Sequence, residues 1–363
     1  MLKPQNLNNG DKIAIITLSR GLLGKSSCAH ELDIAIKRLV EMGLEPVIMD
    51  NSMKDLKYLA EHPEERAADL KQAFLDPSIK GIITAIGGND TYKTIPYLMD
   101  DPEFIEAVRN NPKIFLGFSD TTNNHIMLNK LGLSTFYGPC LLIDEAELDN
   151  SMLPYTKEYF DKLFMNEDSF EIESSPVWYK DRESYAADQV GIPRVMVEEK
   201  HGFETLNGNG VVTGTLYGGC LESLYDAMVG EEERIVYEKY SLLPTPEEWS
   251  GKILFLETSE LKITPDKLED VLMEFKNRSI LSLVKGVIVG KPIDEVYYDE
   301  YKDVYKKVFA DLDTPVLYNV NFGHAVPRCI IPYDAETTID FDNKKIFVNS
   351  QMLEYSEDLN KKK

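Results

Sequence analysis

Short apolar runs without polar alternation recur along the first half of the chain, separated by stretches whose apolar residues return at helical spacing. Residues 13–18 form the first run. Leu32, Ala35, Ile36, Leu39 and Val40 then share one helix face between residues 29 and 42, and Gly43 supplies a C-terminal stop. The pattern predicts a second strand at 46–49, a helix at 64–75 and a third strand at 81–86. That strand runs into Gly87-Gly-Asn-Asp-Thr91. A fourth strand is expected at 114–117 and a helix at 121–131. Strands that are apolar on both sides, alternating with amphipathic helices, imply a mostly parallel sheet covered on both faces. Right-handed crossovers make it doubly wound.

The pattern lapses over residues 167–210, which are rich in Glu, Asp, Ser and Gly and include Trp178, one of two tryptophans. We read this stretch as an inter-domain loop between an N-terminal α/β domain (1–166) and a C-terminal α/β domain (211–363). In the second half, strands are expected at 211–216, 253–256, 284–289 and 315–320, and helices at 221–228 and 300–312. Thr264 followed by Pro265 predicts a capped helix start, with the helix running to about 276. A closing hairpin over 339–348 should turn at Asp342-Asn343. The Lys361–Lys363 tail is expected to fray.

A length of 363 residues suits about two domains. Acidic residues outnumber basic ones 62 to 39, for a net charge of −23, which excludes a phosphate-tracking nucleic-acid surface and disfavours an anionic membrane. Cys28, Cys140, Cys220 and Cys329 lie far apart without a C-x-x-C pair. Neither a disulfide framework nor a thiolate zinc site is expected, and a reducing compartment is the simpler setting. No apolar run reaches the roughly 20 residues of a spanning helix, so a cytoplasmic location is expected. No histidines recur at metal-ligand spacing, so no metal site is expected.

Three residues of complementary chemistry share one kind of address. Ser119 follows the strand at 114–117 and precedes a helix, Glu257 directly follows 253–256, and His324 lies just past 315–320. In open α/β sheets, ligands bind beyond the carboxyl ends of strands. A serine becomes nucleophilic when an imidazole takes its proton and a carboxylate fixes that imidazole. At a tight strand-to-helix turn, the N–H of Asp120 would point where an oxyanion forms, with a second donor from the Gly87-Gly88 turn. Each residue also has a plainer reading. Ser119 could cap a helix, Glu257 could be a surface carboxylate, and His324 could brace its loop. His30, His62 and His201 sit in polar contexts, and His125 suits packing behind Ser119. The Gly87–Thr91 segment could cradle an anion, but it has neither a Walker lysine nor a G-x-G-x-x-G pattern. Gly208-Asn-Gly210 reads as a plain turn.

Taken together, the motifs resemble the serine peptidases of the LD-carboxypeptidase type, which include muropeptide LD-carboxypeptidases and microcin C self-immunity hydrolases. The resemblance rests on Leu7-Asn-Asn-Gly-Asp-Lys-Ile-Ala14, Ile86-Gly-Gly88, Gly117-Phe-Ser-Asp-Thr-Thr122 and Phe136-Tyr-Gly-Pro139. It continues through Gly214-Thr-Leu-Tyr-Gly-Gly219, Phe255-Leu-Glu-Thr258 and Phe322-Gly-His324 with Pro327. It implies a flavodoxin-like or Rossmann-like N-terminal domain bearing the nucleophile and a C-terminal α/β domain bearing the other two groups. It also implies a triad of Ser119, Glu257 and His324, an oxyanion hole at Gly88 and Asp120, no cofactor, and a homodimer acting on a small-molecule or peptide substrate. Gly87, Trp178, Gly218 and Gly219 are the implied substrate contacts. LD-carboxypeptidases proper typically carry Arg-Gly-Gly where this chain has Ile86-Gly-Gly88. The microcin-immunity branch tolerates an apolar residue there and places a base-stacking tryptophan in the inter-domain loop, where Trp178 lies. An aminoacyl or peptidyl nucleotide is therefore the expected substrate, and a peptidoglycan tetrapeptide the alternative. A nucleotide-dependent kinase and a catalytically silent binding protein are the rivals from other classes.

Overall fold

The computed structural model describes residues 1–165 and 167–354, so the Lys361–Lys363 tail lies outside the described residues. The chain divides into two compact units. The first takes residues 1–168, 185–192 and the described residues from 351, and the second takes 169–184 and 193–350.

In the first unit, β1 (Lys12–Ile16), β2 (Glu45–Ile48), β3 (Ile79–Thr84), β4 (Ile114–Gly117) and β5 (Phe136–Tyr137) run in parallel. Their order in the sheet is β5-β4-β3-β1-β2. Ile13, Ala14, Ile15 and Ile16 are all fully buried, so both faces of β1 are covered, as its unalternating sequence requires. The connecting helices are α1 (Ala29–Glu41), α2 (Pro63–Leu75), α3 (Pro102–Asn110) and α4 (Thr122–Lys130). Gly43 ends α1 with φ +86°, and a Cβ there would come within 2.1 Å of Asn9 Oδ1. Helix α3 was not anticipated, although its start is written locally. The Asp101 carboxylate accepts from the N–H groups of Glu103 and Phe104, with Pro102 at the first turn.

The second unit is built on β6 (Phe170–Ile172), β9 (Glu204–Asn207), β10 (Val211–Cys220), β11 (Lys252–Glu257), β12 (Gly286–Gly290), β13 (Val316–Val320), β14 (Glu336–Asp340) and β15 (Lys345–Val348). These form one eight-stranded sheet in the order β6-β15-β14-β10-β11-β12-β13-β9. The four central strands β10 to β13 are parallel, and the flanking ones are antiparallel. Helices α5 (Leu221–Val229), α6 (Pro265–Asn277) and α7 (Tyr298–Phe309) connect the central strands. Thr264 caps α6 as expected, its hydroxyl accepting from the Lys267 N–H at 3.3 Å. The β14–β15 hairpin turns where anticipated, with the Asn343 N–H on Asp340 Oδ1 at 2.9 Å.

The stretch 167–210 is not the free-standing loop its composition suggested. It supplies both edge strands of the second sheet, β6 and β9, and a two-stranded ribbon, β7 (Val177–Tyr179) with β8 (Met196–Glu198). Strands of three or four residues are too short to display an alternating period, which is why the pattern reading passed over them. Residues 185–192 return to the first unit, where the Gly191 N–H meets the Leu148 carbonyl at 2.7 Å and His30 Nε2 lies 3.0 Å from the Tyr185 carbonyl oxygen.

Candidate active site

Ser119 stands where β4 ends. Phe118 is extended, Ser119 turns left-handed with φ +65°, and a single tight turn over Ser119–Thr121 leads into α4. A positive φ at a non-glycine residue is uncommon and persists only when the surroundings enforce it. Here the Ser119 N–H donates to the Tyr137 hydroxyl at 3.0 Å, and the Ser119 carbonyl accepts from the Thr122 hydroxyl at 2.6 Å. Behind the turn, His125 is fully buried, with Nε2 2.9 Å from the Gly117 carbonyl oxygen and Nδ1 2.8 Å from the Thr135 hydroxyl. A carbonyl can only accept, so Nε2 carries the proton and Nδ1 accepts from Thr135. Burial holds this imidazole neutral, its pKa lowered to about 3.

The Gly87-Gly88 turn approaches the same serine. A Cβ on Gly87 would lie 2.8 Å from Ser119 Cβ, and one on Gly88 would lie 2.2 Å from Ser19 Oγ. Gly88 itself is exposed. A network that the sequence reading missed holds this turn in place. The buried Asp120 carboxylate accepts from Ser19 Oγ at 2.6 Å, from the N–H groups of Asp90 and Thr91 at 3.0 and 2.9 Å, and from Asn123 Nδ2 at 2.9 Å. Burial pushes its pKa up, and these donors oppose the shift. Asp90 in turn pairs with the fully buried Arg66 at 2.7 Å. The side chain of Asp120 thus ties down the residues that follow the glycine turn.

In the second unit, Glu257 is the last residue of β11, and its side chain is almost fully buried. Its Oε2 accepts from both the His324 N–H at 3.1 Å and His324 Nδ1 at 2.7 Å. Two glycines make room for it. A Cβ on Gly290 would lie 2.7 Å from Glu257 Cβ, and one on Gly323, whose φ is +79°, would lie 2.3 Å from Glu257 Cγ. On the other side of the ring, His324 Nε2 lies 3.0 Å from Glu260 Oε2. Burial alone would lower the His324 pKa. The Glu257 charge and hydrogen bond, joined by Glu260, overturn that and hold it at about 10.

The structure therefore brings Glu257 and His324 together, and Ser119 belongs to the other unit. Of the expected substrate contacts, Gly218 and Gly219 are buried positions of β10. At Gly218 the missing side chain is explained by strand packing, because a Cβ there would lie 1.8 Å from the Phe255 carbonyl oxygen. Trp178 is only 5% exposed, and the Lys291 ammonium lies 5.2 Å from its ring. Lys291 also pairs with Glu199 at 3.0 Å and Glu295 at 2.6 Å. That environment makes Trp178 an anchor of the β7–β8 ribbon. Among the described residues, no group of three or more His, Cys, Asp or Glu side chains is placed to hold a metal ion, and no helix is long and apolar enough to cross a membrane.

Comparison with known proteins identifies both halves of the chain. The LD-carboxypeptidase N-terminal domain matches residues 13–138, and the LD-carboxypeptidase C-terminal domain matches residues 213–339. An MccF-like protein from Streptococcus pneumoniae, solved in complex with AMP, is 40% identical with a TM-score of 0.87, over 93% of this chain and 98% of that one. The microcin C7 self-immunity protein MccF of Escherichia coli is 28% identical over 80% of this chain and 79% of its own. A Bacillus subtilis protein named "probable murein peptide carboxypeptidase" is 27% identical over 97% and 96%. With both of its domains matched in order, the chain belongs to the LD-carboxypeptidase family of peptidases, peptidase S66.

Proposed function

We propose that the chain is a serine amidohydrolase in which Ser119, His324 and Glu257 act as a triad on an aminoacyl or peptidyl nucleotide of the microcin C type. The observation that carries the chemistry is the 2.7 Å contact between Glu257 Oε2 and His324 Nδ1. It fixes a proton on Nδ1 and leaves Nε2 to take the proton of Ser119 Oγ. Ser119 attacks the carbonyl, and the N–H groups of Asp120 and Gly88 stabilise the oxyanion. His324 then protonates the departing amine, and water releases the acyl group. The reading needs no cofactor and includes a homodimer.

Ile86 supports the nucleotide substrate, since an apolar side chain cannot pair with a terminal D-alanine carboxylate. The 40% identical Streptococcus pneumoniae protein, solved with AMP, supports it as well. Burial of Trp178 favours the second reading, a muropeptide LD-carboxypeptidase, because a covered ring offers a nucleobase little to stack on. The deciding experiment offers an aminoacyl nucleotide amide and a peptidoglycan tetrapeptide to the purified protein and follows products by mass spectrometry. Cleavage of the nucleotide amide is expected, with release of D-alanine absent or much slower. Ser119→Ala should lower turnover by several orders of magnitude, with an unchanged circular dichroism spectrum. Near-wild-type turnover by that variant would refute the triad.

A further inference from the structure

We propose that Glu260 is an internal competitor for the catalytic nitrogen. In the free protein its carboxylate occupies His324 Nε2, and substrate must displace it before Ser119 can hand over its proton. The proposal rests on the triad reading above and adds a residue to it.

The argument begins with counting protons. His324 Nδ1 faces Glu257 Oε2 at 2.7 Å, and Nε2 faces Glu260 Oε2 at 3.0 Å. A neutral imidazole has one N–H, whereas two carboxylate acceptors call for two. The arrangement therefore selects the imidazolium, and an imidazolium cannot act as a base. The upward shift of the His324 pKa has the same cause.

Glu260 is well placed to leave. Its side chain is 62% exposed, in contrast to 1% for Glu257. The backbone around it is pinned. Glu222 accepts from the Ser259 N–H at 3.0 Å and the Ser259 hydroxyl at 2.7 Å, and the Lys262 N–H returns to the Ser259 carbonyl at 3.2 Å. Lys262 Nζ is tied to Asp294 at 2.8 Å. Rotation of one exposed side chain on a fixed turn is enough to uncover Nε2. When Glu260 swings away, the Nε2 proton passes to solvent water, and the imidazole keeps its other proton against Glu257. Among the described residues, charged groups against His324 include Glu257 from β11, Glu260 from the turn after it, and Arg328, which donates to the His324 carbonyl at 3.4 Å. Glu222 and the Cys220 thiol stand near Glu257.

The test uses the full-length protein and its Glu260→Gln variant. A fluorophosphonate, whose fluoride is displaced by Ser119 Oγ as His324 takes the proton, reports the fraction of neutral His324. Labelling rate as a function of pH should shift downward by about one unit in the variant, making it about tenfold faster near neutrality. The His324 imidazole, followed by NMR in the free protein, should titrate correspondingly lower. Unchanged labelling profiles together with an unchanged His324 titration overturn the proposal, as does slower labelling at every pH without a titration shift. Absence of labelling in both proteins counts against the triad instead, and the NMR titration then decides on Glu260 alone.

Discussion

Two buried acids lie at or just beyond the ends of two buried strands, and they do opposite work. Asp120 follows β4 and the Ser119 turn, and its carboxylate accepts only from groups that do not titrate: a hydroxyl, two backbone N–H groups and an amide. Glu257 ends β11 and accepts from an imidazole, which does titrate. Sequence makes the two look alike, as an acid just beyond an apolar run. Partner chemistry separates them. A carboxylate surrounded by fixed donors acts as a staple, whereas one against an imidazole controls where a proton resides.

The strongest way to break this comparison is to neutralise each acid in turn. Glu257→Gln keeps the shape and removes the charge, so the His324 tautomer is no longer fixed and the imidazolium loses its counter-ion. Turnover should fall by about four orders of magnitude, as for analogous triads, with the melting temperature changed far less. A tenfold loss or smaller would mean that Glu257 does not hold the base. Asp120→Asn should show the reverse balance. An amide cannot accept through both atoms. With its oxygen kept on the side where Ser19, Asp90 and Thr91 donate, its NH2 faces the Asn123 Nδ2 donor, which loses that partner, at about 1–3 kcal/mol of stability by chemical denaturation. The turnover of folded Asp120→Asn protein should stay well above that of Glu257→Gln.

The two histidines extend the contrast to pH. His125 is held neutral in the native state with a pKa near 3, whereas the unfolded chain protonates it near 6.5. Between these values the unfolded state binds the extra proton, so the stability His125 contributes is present above pH 6.5 and is lost as pH falls. A His125→Asn variant should therefore show a shallower acid slope, by up to about 1.4 kcal/mol per pH unit. Denaturant titrations at pH 4, 5 and 6 would measure it, and parallel slopes would contradict the neutral assignment.

Much of the frame was legible. Unalternating runs marked the parallel strands, and Thr264-Pro265 marked a helix start. Ser119, Glu257 and His324 were singled out because each lies at or just past the end of such a run; the structure brings Glu257 and His324 together. The network behind the Ser119 turn was not legible. Ser19, Arg66, Asp90 and Asp120 meet through contacts spanning up to 101 residues, and no local spacing encodes them. Trp178 was expected as a substrate contact in a loop; it lies in a three-residue strand too short to show a period, is 5% exposed, and has the Lys291 ammonium 5.2 Å from its ring. Glu260 escaped notice as one more acid in a chain with 62. Only the ring of His324 sets it apart.

The most direct test of the central claim is a crystal structure of the fluorophosphonate adduct. Phosphorus should be bonded to Ser119 Oγ, with His324 Nε2 within about 3 Å of the adduct's oxygen atoms, Nδ1 still on Glu257 and Glu260 turned away. A modified Ser119 with His324 remote from it, or an adduct on any other residue, would contradict the account.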